Sequence, residues 1–68
     1  MGSQEEIAKK IKKGRERSGL TQLEVAEKIK VSVNYYARIE RGEVNPSLET
    51  LKDIMRILKI KTLKISNP

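Results

Sequence analysis

A chain of 68 residues with a net charge of +6, no cysteine and no histidine is long enough for one domain around one small core. That composition excludes a disulfide framework and the usual zinc sites. It also contains no apolar run near the ~18 residues of a membrane span. The basic balance points to a polyanionic partner, nucleic acid before an anionic membrane, although a lysine-rich surface also serves solubility alone. The opening Met1-Gly2-Ser3-Gln4 lacks the apolar core of a signal peptide, and the absence of cysteine suits a reducing, cytoplasmic compartment. There is no glycine-rich phosphate loop and no carboxylate cluster at ligand spacing, so neither an enzyme nor a cofactor or metal is expected. The aromatic residues, Tyr35 and Tyr36, are too few to stack single-stranded bases.

Residues Glu5 to Ser18 read as a first helix. Ile7 and Ile11 are one turn apart, and Glu5 and Glu6 suit a helix N-terminus. Gly14 weakens this helix by about 1 kcal/mol relative to alanine, and Gly19 ends it. Thr21 and Glu24 then form a capping box, with Leu20 and Val25 at the staple positions. The second helix runs from residue 22 to Ile29 with Val25, Ala26 and Ile29 inward. Lys30 and Val31 make a very short turn. Ser32 caps a third helix over residues 33 to 41, with Val31 and Tyr36 as its staple. Adjacent helix positions cannot share a face, so Tyr36 points inward with Ile39 and Tyr35 lies to the side. Asn45-Pro46-Ser47 breaks the chain, and Ser47 caps a fourth helix from Leu48 to Lys59. Leu48, Leu51, Ile54, Met55 and Leu58 are spaced in it for a buried stripe. Residues 61 to 65 alternate as a short strand does. A lone strand needs a partner, and the same strand of a second copy across a two-fold axis supplies one. Dimer contacts are therefore expected at Ile57, Ile60, Leu63 and Ile65.

Two short helices joined by a tight turn make a helix-turn-helix unit. The second helix of such a unit can enter the major groove of double-stranded DNA. Here that is the third helix, whose outward stripe is Asn34, Ala37, Arg38 and Arg41. Asparagine bonds adenine bidentately and arginine does the same to guanine. The same stripe also suits an ordinary solvated face. Gln22 is the first residue after a cap, so its backbone N–H can face a phosphate. Val33 fits a contact with a thymine methyl and fits equally the seam beside Val31. Lys9, Lys10, Lys12 and Lys13 of the first helix suit a solvated face better than phosphate contacts.

The stretch from Gly19 to Leu58 resembles the lambda-repressor/Cro-like, or XRE-type, helix-turn-helix family. The shared features are Arg15, Gly19-Leu20-Thr21-Gln22, Ala26, Val31-Ser32, Ile39-Glu40-Arg41-Gly42, and Pro46-Ser47 before Leu51. Together they span about residues 7 to 60. The resemblance implies a mainly α, four-helix DNA-binding domain. It implies base contacts at Ser32, Val33, Asn34 and Arg38, and phosphate contacts at Gln22, Tyr35, Arg41 and Asn45. It also implies a buried ion pair between Arg15 and Glu40. Physical chemistry agrees on the last point: Glu40 sits near a helix C-terminus, where a negative charge is unfavourable, and Arg15 is a bidentate candidate to neutralise it.

The departures from the family pattern are local. Lys30 and Lys59 stand where many relatives carry glycine, so both are expected to test a left-handed backbone. Tyr36 and Gly14 replace the usual aliphatic residues, which implies repacking between the first and third helices. Residues 60 to 65 replace a fifth helix. That tail resembles HipB-type antitoxins, and the resemblance implies terminal strands paired across a homodimer and a toxin protein as a possible partner. The leading expectation is a dimeric repressor that reads an inverted repeat. The competing one is a protein-interaction module of the same fold that bridges transcription factors and barely reads DNA.

Overall fold

The computed structural model describes residues 4–61, which hold four helices: α1 (Gln4–Ser18), α2 (Gln22–Ile29), α3 (Val33–Glu40) and α4 (Leu48–Leu58). The mainly α architecture expected from the sequence holds. The expected strand, with Leu63 and Ile65, lies outside the described residues except for Lys61.

The helix starts follow from capping side chains. Thr21 Oγ1 accepts the Glu24 N–H at 3.0 Å while Glu24 Oε1 accepts the Thr21 N–H at 2.8 Å, the reciprocal box that satisfies two otherwise orphaned donors. Ser32 Oγ accepts the Tyr35 N–H at 3.0 Å, and Ser47 Oγ accepts the Thr50 N–H at 3.1 Å. α1 begins one residue earlier than expected. The Gln4 side-chain amide donates to the Gly42 carbonyl at 2.9 Å, tying the start of α1 to the end of α3.

The helix ends share one geometry. A left-handed residue directly follows α1, α2 and α4, namely Gly19 (φ 73), Lys30 (φ 62) and Lys59 (φ 57), and after α3 it comes one residue later, at Gly42 (φ 75), beyond the right-handed Arg41. The N–H of the next residue then returns to a carbonyl five positions back: Leu20 to Arg15 at 3.3 Å, Val31 to Ala26 at 3.0 Å, Glu43 to Arg38 at 2.9 Å and Ile60 to Met55 at 2.9 Å. This Schellman arrangement satisfies carbonyls that a helix end leaves open. Two helices end one residue before the expected boundary. α3 closes at Glu40 rather than residue 41, and α4 closes at Leu58 because Lys59 is the left-handed residue.

The core gathers Ala8 and Ile11 of α1, Val25, Ala26 and Ile29 of α2, Tyr36 and Ile39 of α3, and Leu51, Ile54 and Leu58 of α4. α2 packs on α3 and α4, and α1 packs on the same two helices. The expected stripe of α4 is wrong at its first position. Leu48 is 64% exposed, because it opens the helix directly after the Ser47 cap and only borders an apolar groove with Ile7, Val44 and Pro46. Met55 is partly buried at the margin. Gly14 is a packing position rather than a flaw. A Cβ built there would meet Ile60 Cδ1 at 3.0 Å, so glycine lets the chain leaving α4 cross α1 closely.

Candidate nucleic-acid interface

The left-handed turn at Lys30 reverses the chain between α2 and α3. Burial of Val25, Ala26 and Ile29 against Tyr36 and Ile39 then fixes which side of α3 looks outward. Ser32, Val33, Asn34, Arg38 and Arg41 are exposed, and Tyr35 and Ala37 are half-buried. Asn34, Arg38 and Arg41 recur at helical spacing, so they share one face. Val33 is 41% exposed and stands outside the seam that Val31 enters. The Ser32 oxygen is occupied as a cap, which leaves its O–H free to donate. Asn45 is exposed in the connection between α3 and α4.

A buried network anchors this face. Glu40 is 7% exposed. Its Oε2 accepts from Arg15 Nε at 2.6 Å, and its Oε1 accepts from Arg15 Nη2 at 3.2 Å and from Gln22 Nε2 at 3.0 Å. Arg15 Nη1 also donates to the Leu20 carbonyl at 2.9 Å, holding the turn before α2. One carboxylate therefore joins the end of α3, the last turn of α1 and the first residue of α2. Burial pushes the Glu40 carboxyl up, but the hydrogen bonds from Arg15 and Gln22 and the charge of Arg15 outweigh it and hold the group below its ordinary range. The neighbouring Tyr36 phenol is pushed above its ordinary value, first by burial and then by Glu40. Its hydroxyl lies near the pair without a hydrogen bond of good geometry to any described residue.

Two features escaped the sequence reading. The Gln22 side chain, expected at a phosphate, is turned inward to Glu40, which leaves the backbone at the α2 N-terminus as the outward donor. Glu43, not singled out in the sequence, accepts from Arg38 Nε at 3.4 Å and from Arg41 Nε and Nη2 at 2.8 and 3.3 Å. The only signal for it was a carboxylate two residues beyond Arg41, across a glycine. Among the residues expected at a dimer interface, Ile57 is half-buried, and Ile60 packs on Gly14 of its own chain. No helix among the described residues is long and apolar enough to cross a membrane.

The helix-turn-helix family model matches residues 11–65. The chain is 41% identical over 59 residues to the immunity repressor protein of Bacillus phage phi105, an alignment covering 87% of this chain and 41% of the relative. The chain thus spans about two fifths of that relative's length. No solved structure matches. The family match, the repressor relative and the α2-turn-α3 geometry agree: the chain belongs to the helix-turn-helix family, of the lambda-repressor/Cro-like, XRE type.

Proposed function

We propose that the chain is a sequence-specific, double-stranded DNA-binding transcriptional repressor that reads the major groove with α3. The observation that carries this reading is the exposed polar and basic face of α3, held in place from behind by the Arg15–Glu40–Gln22 network. Asn34 and Arg38 read base edges, Val33 meets a thymine methyl, and Ser32 donates its hydroxyl proton. The α2 N-terminus at Gln22, together with Tyr35, Arg41 and Asn45, holds phosphates. The relative's name, an immunity repressor, favours repression over an antitoxin role that rests on the terminal segment alone.

We further propose that it binds as a homodimer, through Ile57, Ile60 and the residues that follow. Half-sites would then lie about 34 Å apart, one helical turn. A footprint on DNA selected by the protein should show two inverted half-sites, and a single half-site would contradict the dimer. Salt dependence tests the phosphate assignments. Affinity should fall steeply with salt, and Arg41→Ala should lessen the log–log slope by about 1 for each protomer bound. A shallow slope without sequence preference would favour the protein-interaction module instead.

A further inference from the structure

Glu43 occupies a revealing position. At three of the four helix ends, the residue after the left-handed one is apolar and half-buried: Leu20, Val31 and Ile60. Such a residue ordinarily packs on the side chain whose carbonyl its N–H has reached. At the end of α3 that residue is Glu43, and the carbonyl it reaches belongs to Arg38. The backbone motif therefore sets a carboxylate against Arg38, where Nε lies 3.4 Å from Oε1, and Arg41 closes on the same carboxylate at 2.8 Å. All three side chains are about half exposed, so solvent screens the pairs and they add little to stability. Their consequence is for binding.

We propose that Glu43 is a specificity-determining residue, an internal competitor for phosphate that occupies Arg38 and Arg41 until a matching base edge draws Arg38 away. The inference rests on the DNA-binding reading above. On unrelated DNA, the arginines exchange a carboxylate for phosphates, while Glu43 is itself repelled by the backbone. On a matching site, the bidentate contact of Arg38 with a guanine replaces the hydrogen bond that it gives up. Glu43 therefore weakens non-specific binding more than specific binding. The group stays ionised for this role: the hydrogen bond from Arg41, more than any other influence, holds its carboxyl below the ordinary range.

The test compares wild type with Glu43→Gln and Glu43→Ala on two duplexes, one selected by the wild type from a randomised pool and one unrelated, across a salt series. Glu27→Gln, the same charge change at an exposed position of α2, is the control. Both Glu43 variants should bind the unrelated duplex about three- to ten-fold more tightly, with a slope steeper by about 1 for each protomer bound. Affinity for the selected duplex should rise by a clearly smaller factor, because only the Arg41 pair and the repulsion of Glu43 by the backbone are relieved there, and thermal unfolding should stay at the wild-type midpoint. Glu27→Gln should leave the ratio of the two affinities intact. Glu43 variants that match the wild type, or that raise both affinities equally, overturn the inference alone. A wild type that binds no duplex at low salt overturns the DNA-binding reading and this inference with it.

Discussion

Arg15, Glu40 and Gln22 show how a single buried carboxylate orders a surface it never reaches. Removing Arg15 leaves the Glu40 charge buried with only the Gln22 amide, so Arg15→Met should cost about 3–5 kcal/mol in chemical denaturation at pH 7. The pH dependence has a definite sign. Glu40 is held below its ordinary value of 4.5 in the folded chain, so its contribution is complete above 4.5 and lost as pH falls through the lower folded value. In Arg15→Met, protonation relieves the unpaired charge, and the deficit relative to wild type should narrow between pH 7 and pH 4. A deficit that widens would mean that Glu40 is not the group responsible. This pair was legible in the sequence, because the family resemblance implies it and an acidic residue at a helix C-terminus calls for a cation. Glu43 was not, because exposed charges meeting across a turn leave no periodic trace.

The four helices were readable because their punctuation is chemical. Thr21, Ser32 and Ser47 stand at cap positions, and each side chain accepts the expected backbone N–H. Val31 and Tyr36, as a staple pair, mark the inward face of α3 from the sequence itself. The stripe of α4 failed at Leu48 because periodicity describes a helix without saying where its neighbours stop, and the first turn extends past them. Gly14 was read as a propensity cost, whereas its reason lies 46 residues away in sequence, in Ile60. Lys30 and Lys59 mark an element-scale strain: both hold a left-handed backbone without the freedom of glycine. Lys30→Gly and Lys59→Gly should each stabilise the fold by about 1 kcal/mol, which in a domain this small raises the melting midpoint by roughly 4–8 °C. A lowered midpoint would show that the lysine side chains contribute packing that outweighs the strain.

For the whole molecule, the charge of +6 suits a polyanionic partner without singling one out, and the face proposed to meet it is the exposed side of α3. The proposed homodimer draws on residues at and beyond the end of α4, where Ile60 is already committed to Gly14 of its own chain; a short alternating segment carries little information of its own. The central claim is that the outward face of α3 reads base edges. Fluorescence anisotropy on a duplex selected by the wild type, against an unrelated duplex at fixed salt, tests it most directly. The wild type should prefer the selected duplex by about a thousand-fold or more. Asn34→Ala and Arg38→Ala should each lose about 1–3 kcal/mol on it and relax the preference at one base pair. Equal binding of both duplexes by the wild type, or variants that keep its full preference, would contradict the account.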